Sequence, residues 1–180
     1  TINSMAAEAQ ENLAEAVRLL HHYSDEGYRT VVEMEQVVDR YEDRLGSYLV
    51  KLTGQELSSK QNEDASKFLH TISDFERISD HALNIAQTAK EMREKSIVFS
   101  DDALRELAVL ESALAEIVHI TVNAFIRNDL SLASRVEPLE ELIDDLCDEL
   151  KLHHVDRLQK GHCTLLNGFL FNDLLTNYER

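Results

Sequence analysis

The chain has 180 residues, 43% of them hydrophobic, which is enough for a buried core in one domain or two small ones. Its 34 acidic against 18 basic side chains give a formal net charge of −16, which excludes nucleic acid and disfavours anionic membranes, because both are bound through Lys and Arg. With one Pro, five Gly and two Cys without C-x-x-C spacing, a turn-rich β protein, a disulfide framework and a thiolate zinc site are unsupported, and a reducing cytoplasmic setting fits.

The first half of the chain predicts three helices. The second has the most regular apolar seam, in alternating steps of three and four residues as in helical bundles: Val31, Met34, Val38, Tyr41, Leu45, Tyr48 and Leu52. Polar caps and turns mark the helix boundaries, at Ser4, Asp25 to Gly27, Gly54, Ser58 or Ser59, and Lys95. We expect the three helices to form an antiparallel bundle.

The second half predicts three more helices. They are separated by a connector and two turns, at Ser96 to Asp101, Asn128-Asp129 and Gly161, and the fourth helix spans about Ala103 to Arg127. Pro138 lies inside the fifth, where it predicts a kink or a delayed start. The most apolar segment, Ala113 to Ile126, is interrupted by Glu116 and His119 and is too short to span a bilayer.

The second half repeats the first. Adding 105 to the seven seam positions of the second helix gives apolar residues at the first five places. The same shift converts one acidic triplet into another, Glu35, Asp39 and Asp43 into Glu140, Asp144 and Asp148, and a shift of 103 converts Phe75-Glu76-Arg77 into Tyr178-Glu179-Arg180. We therefore expect an all-α fold of two tandem three-helix bundles with pseudo-twofold symmetry, over residues 1–97 and 98–180, the second truncated in its last helix.

Acidic pairs at helical spacing suggest a metal site in each repeat. Glu76 and Asp80 lie one turn apart on the third helix, with Cβ atoms roughly 5–6 Å apart, so they can share one cation. If the second helix packs beside the third, its own acidic row faces this pair. Carboxylates alone select hard cations such as Mg²⁺, Mn²⁺, Ca²⁺ or iron, and a bound cation can accept an oxyanion such as phosphate. The alternative is that these rows are solvated flanks of an acidic bundle.

The string Asp74-Phe75-Glu76-Arg77-Ile78-Ser79-Asp80 resembles the E-R-I-G-D-type signature of the PhoU family. Members of that family are tandem three-helix bundles with an E(D)-x-x-x-D motif in each unit, and the resemblance covers essentially the whole chain. More narrowly, the chain resembles the PhoU-like cytoplasmic domain at the C-terminus of bacterial Na⁺/phosphate cotransporters.

This resemblance implies iron or zinc clusters on the bundle surface, with Mn or Mg also compatible with the donors, and a regulatory role in phosphate uptake rather than catalysis. Carried over by position, the ligands are Glu35, Asp39, Glu76 and Asp80 in the first repeat and Glu140, Asp144 and Glu179 in the second. The Asp expected four residues after Glu179 lies beyond the last residue, so the second site is expected to be incomplete.

The implied partner is the membrane domain of a phosphate transporter, with inorganic phosphate held through the metal and a homodimer left open. The implied location is cytoplasmic, tethered to the inner membrane as part of a larger transporter chain. Two alternatives are a free-standing phosphate uptake regulator and a metal-free helical scaffold or dimerisation module. A carboxylate-metal hydrolase is a weaker one. A di-iron oxidase is excluded because Glu116-x-x-His119 is a single Glu-x-x-His pair where two are needed.

Overall fold

The computed structural model describes residues 1–180, and the chain is entirely helical, which confirms the predicted fold class. Six long helices and one short helical turn follow one another: α1 (Ile2–His21), α2 (Asp25–Thr53), α3 (Ser59–Glu94), α4 (Asp101–Arg127), α5 (Leu130–Ala133), α6 (Val136–Gln159) and α7 (Leu165–Glu179). The short α5 was not predicted, since four residues are too few to show a helical period.

Two details of the helix ends differ from the sequence expectations or decide between them. Thr1, not Ser4, is the N-cap of α1, and Ser4 instead accepts a hydrogen bond from the terminal amine of Thr1 at 2.9 Å. Pro138 is the third residue of α6, so it causes a delayed start and not a kink. In the first turn of a helix the missing N–H of proline has no intrahelical partner to lose.

The helices pack as two sets of three that share a core. Helices α1, α2 and α3 contact one another, α6 contacts α4 and α7, and the two sets meet where α1 touches α4 and α3 touches α7. A cluster of 22 buried side chains draws on both sets, including Leu19, Ile85, Leu110 and Phe171. The core therefore continues across the predicted boundary at residue 97, and the two-domain division stays a prediction.

A buried polar network ties the two sets together. The Glu111 carboxylate on α4 accepts a hydrogen bond from the Tyr178 hydroxyl of α7 at 2.9 Å and another from His21 Nε2 of α1 at 2.7 Å. Burial, helped by the Glu111 charge, raises the pKa of Tyr178 well above its usual value. By length and composition α4 is a helix that could cross a membrane. We assign it to the core because these bonds and its buried Leu107 fix it within the bundle.

Candidate functional site

The structure brings together the acidic side chains that the sequence predicted for the first repeat, and adds one. Glu35, Asp39 and Glu42 on α2 face Glu76 and Asp80 on α3, and we call these five residues the first acidic cluster. The pKa of Glu76 is raised to about 7, first by partial burial and then by the neighbouring charge of Asp80 and a hydrogen bond to it, with smaller effects of Glu42 and Asp39. The two acidic rows therefore face each other across α2 and α3.

Glu35 belongs to the same electrostatic group. Its pKa is raised first by burial and then by the charges of Asp80 and Asp39. Each of these carboxylates makes it harder for a neighbouring carboxyl to lose its proton, so mutual repulsion destabilises the fully ionised group.

The first acidic cluster has no basic partner within the protein. None of its five carboxylates forms an ion pair, and the nearby Arg77 approaches Asp74 instead, at 4.0 Å. On the same two helices Lys67 pairs with Glu63 at 2.7 Å, whereas Arg40 and Arg44 form no ion pair with any acid. An acidic cluster without a countercharge is a place where a cation gains the most electrostatic energy.

The donors fit a hard cation, although the side chains do not converge on one point. All five offer carboxylate oxygen, the ligand type that Mg²⁺, Ca²⁺, Mn²⁺ and iron accept. Yet no group of three or more His, Cys, Asp or Glu side chains has an arrangement that could hold a metal ion. The pKa shifts show that the carboxylates lie near one another. Because like charges repel, the side chains turn away from each other, so their oxygens do not converge although the two helices are adjacent.

Buried hydrogen bonds fix the backbone beneath this cluster. Asn12 of α1 is fully buried and bonds to the Ser79 hydroxyl of α3 at 2.7 Å. In the amide orientation that satisfies all its neighbours, Asn12 donates to the Val31 carbonyl at 3.2 Å and accepts from the Glu35 amide at 3.3 Å. One side chain thus joins the backbone of Glu35 to the residue before Asp80.

Sequence reasoning missed Glu42 and Asn12, for different reasons. The predicted triplet ended at Asp43, but on a helix the i+7 position lies closer to the direction of residue i than i+8 does. Glu42 is partly buried and accepts a hydrogen bond from Ser73 at 2.8 Å, which links α2 to α3. Asn12 could have been recognised as a polar residue on an otherwise apolar face of α1.

The second repeat does not reproduce the first acidic cluster. Glu140 and Asp144 are exposed on α6, whereas Glu179 on α7 binds Lys151 Nζ at 2.8 Å. By the repeat shift Lys151 corresponds to Gly46 and the buried Cys147 corresponds to Glu42. The predicted second set therefore lacks the counterpart of Glu42 and is partly neutralised by a lysine that the first repeat lacks.

The pKa of Cys147 reflects its burial and the charges around it. Its pKa is raised to about 11, first by burial and then by Glu179, with Lys151 acting in the opposite direction and Asp144 adding a further increase. The thiol is protonated at neutral pH and points to the Leu175 carbonyl at 3.9 Å, so Cys147 is a core residue and not a thiolate ligand.

A cleft between the repeats is lined by the second acidic set. It has a volume of about 340 Å³ and an apolar floor that includes Ile78 and Ile143, and Glu140, Asp144 and Glu179 line it together with Arg77 and Arg180. The second acidic set thus shares this cleft with two arginines.

Three histidines contact other helices or the core, and none of these contacts involves the first acidic cluster. His81 donates from Nδ1 to the Asn177 amide oxygen at 2.9 Å, a contact between α3 and α7. His153 bonds to Glu106 at 2.8 Å, and His154 is buried, stacked on Phe171 with ring centres 5.2 Å apart. Together with the bond of His21 to Glu111, these contacts give the histidines structural roles within the bundle.

Comparison with known proteins gives a family match over the first half of the chain and a fold for the whole chain. Residues 2–89 match the family model described as PhoU domain. The chain is 24% identical over 180 residues to the phosphate-specific transport system accessory protein PhoU homolog 1 of Thermotoga maritima, covering 99% of this chain and 77% of that protein. It is 27% identical over 147 residues to the accessory protein PhoU of Edwardsiella tarda, covering 79% of this chain and 58% of the relative.

Two solved structures have the same fold. PhoU from Pseudomonas aeruginosa superimposes with a TM-score of 0.90 at 18% identity, covering 99% of this chain and 85% of that one. The phosphate transport system regulatory protein PhoU from Streptococcus pneumoniae gives 0.84 at 16% identity, covering 99% and 83%. At these identities the likeness concerns the fold alone. These relatives and structures are named as accessory or regulatory proteins, and none as part of a Na⁺/phosphate cotransporter.

Proposed function

We propose that the chain is a PhoU family protein that regulates phosphate transport, with a cation held by the first acidic cluster. The match of residues 2–89 to the PhoU domain supports the family assignment. The single observation that carries the metal part is the set of five facing carboxylates without a basic partner. The regulatory part is supported by relatives that are named for the phosphate-specific transport system.

A free-standing regulator is better supported than a transporter domain. The relatives are named as accessory proteins, which implies that they act beside the transport machinery and are not fused to it. We therefore correct the expectation of a tethered cotransporter domain in favour of the alternative, a separate cytoplasmic phosphate uptake regulator. The partner we propose is a component of a phosphate transport system.

The residues proposed to hold the cation are Glu35, Asp39, Glu76 and Asp80, with Glu42 beside them. A bound cation would supply positive charge that can attract a phosphate oxyanion. The protein's part is to place these oxygens on two helices whose backbones are fixed by Asn12 and Ser79. For Glu140, Asp144 and Glu179 we propose a weaker site, because Lys151 already neutralises part of their charge.

The test of the metal site is elemental analysis of protein purified without chelator or nickel resin. We expect iron, zinc or manganese near one or more equivalents in the wild type and loss of it in Glu76→Gln/Asp80→Asn. The matched control is Glu141→Gln, an exposed acid on α6 outside the cluster. Metal content that is equal in all three proteins would refute the assignment, and no metal in any of them would favour the scaffold alternative.

The test of regulation is phosphate uptake by bacteria that lack their own PhoU protein. We expect the chain, expressed alone, to lower uptake of labelled phosphate in phosphate-rich medium and the Glu76→Gln/Asp80→Asn variant to lower it less. Isothermal titration of phosphate into metal-loaded protein examines direct recognition separately. Uptake that is unchanged by folded, metal-loaded wild type would contradict the regulatory role while leaving the metal site in place.

A further inference from the structure

The second repeat exposes a group of large apolar side chains on neighbouring helices. The exposed fractions are 71%, 48%, 71% and 66%, and we call the group the apolar patch: Leu152 and Val155 on α6, and Leu165 and Phe169 on α7. His154 lies against Gly168, so close that a Cβ added to the glycine would be 2.6 Å from His154 Nε2. Val155 follows His154 in the sequence and Phe169 follows Gly168, so the patch spans the outer side of the α6/α7 pair.

The internal repeat shows that the fold does not require these residues. The repeat shifts place Ser47, Asn62 and Ser66 of the first repeat at the positions of Leu152, Leu165 and Phe169. Only Val155 has an apolar counterpart, Val50. Since the first repeat builds the same pair of helices with polar side chains at three of these four positions, folding does not require the apolar patch. Grouped apolar side chains on a monomer surface commonly mark a binding site.

Acidic residues surround the apolar patch. Asp148 and Asp156 lie one helical turn before and after Leu152, and Asp173 lies one turn after Phe169. Lys151 and Lys160 each pair with one of the first two, at 3.3 and 2.7 Å, while Asp173 has no ion pair. With Glu149 also exposed nearby, the surroundings keep a negative balance.

This charge decides between two occupants. A second copy would bring the same acidic rim, on a chain of net charge −16, against the first. A partner with basic side chains beside an apolar face would be attracted by that rim and would cover the patch. Two antiparallel helices present a shallow groove, the surface on which an amphipathic helix lays its apolar face.

We propose that the apolar patch binds a basic amphipathic helix of a partner protein. Leu165 and Phe169 are the central anchors, and the acidic rim selects the charge of the partner. The inference goes beyond phosphate regulation and does not require a metal at the first acidic cluster.

The probe is a labelled 18-residue helical peptide with a leucine face and lysine flanks, compared with a peptide in which glutamate replaces every lysine. Binding is measured by fluorescence anisotropy at roughly 0.15 M salt, where long-range attraction is screened. We expect the lysine peptide to bind wild type at least about tenfold more tightly than it binds Leu165→Asn/Phe169→Ser, which carries the residues of the first repeat. The matched control is Val109→Ser, which removes an apolar side chain of 59% exposure on α4 and should leave binding unchanged.

Five results would overturn the proposal. Equal binding of the lysine and glutamate peptides would remove the role of the acidic rim. Equal loss in Val109→Ser, or no loss in the double variant, would remove the role of the patch. Sedimentation showing a dimer that Leu165→Asn/Phe169→Ser dissociates would assign the patch to a second copy. Uptake of wild type but not of the double variant onto vesicles of phosphatidylcholine, with no peptide binding, would assign it to a lipid surface.

Discussion

Replacing Glu76 by Gln should stabilise the metal-free protein at pH 8 and hardly affect it at pH 5. The folded pKa of Glu76, about 7, lies above its ordinary value of 4.5, so the native state binds this proton more tightly than the unfolded state does. The contribution of Glu76 to wild-type stability is therefore greatest below pH 4.5, falls as the pH rises, and levels off above about 7. Gln mimics the protonated form and removes that loss.

The expected size follows from the shift. At 1.36 kcal/mol per pKa unit the difference sets an upper limit of about 3 kcal/mol. Because the side chain is partly exposed and solvent screens the repulsion, we expect about 1 kcal/mol, or roughly 2–4 °C in Tm for a chain of this size. Chelator-treated wild type and Glu76→Gln are compared by urea denaturation at both pH values, with Glu33→Gln, an exposed acid of α2, as the control.

A divalent cation should reverse the order of the two proteins. At about 100 times its Kd a cation adds roughly 2.7 kcal/mol to the wild type, whereas Glu76→Gln should lose most of that gain. A Glu76→Gln variant that is no more stable than wild type at pH 8, or equally more stable at both pH values, would refute the repulsion on which the candidate site rests.

The remaining predictions concern single positions and use the same denaturation assay. Gly168→Ala should cost about 1–3 kcal/mol because the new Cβ would lie 2.6 Å from His154 Nε2, and an unchanged midpoint would show that the ring moves freely. Asn12→Ala should cost about 1–3 kcal/mol, since its backbone partners lose their bonds, and should also lower metal content. Gly46→Lys should place a cation near Glu76, stabilising the protein by about 1 kcal/mol at pH 8 and weakening cation binding about tenfold or more. Gly46→Ala, whose Cβ meets only ordinary contact at 3.7 Å, is its control and should keep that binding.

The helices were predictable because each one carries its own signal. Ser58 and Ser100 accept hydrogen bonds from the amides of Gln61 and Ala103, as expected of N-caps. The apolar seam of α2 packs against the core as far as Leu52, although Tyr48 within it is 60% exposed. The α5 turn was not predictable in this way, because its N-cap Asp129 was interpreted as part of a turn leading directly into the next helix. Local sequence patterns therefore predicted the long helices and missed the short one.

The candidate site was predictable only where its members lie on one helix. The pair Glu76 and Asp80 follows from a spacing of four residues. The contribution of Asn12 does not, because it is separated from Ser79 by 67 residues and meets it only in the folded chain. The same holds for the bond between Lys151 and Glu179, 28 residues apart, which no helical period reveals.

One substitution within the repeat explains why two halves with the same acidic pattern differ. Where the first repeat has Gly46, which has no side chain, the second has Lys151, whose ammonium binds Glu179, the counterpart of Glu76. An internal ammonium and an external cation compete for the same carboxylate, so the repeat that contains the lysine needs the cation less. We therefore propose a poorer metal site in the second repeat, whose α6/α7 surface carries the apolar patch at positions that are polar in the first repeat, except at Val50. On this proposal the first half of the duplication serves a cation and the second half serves a protein partner.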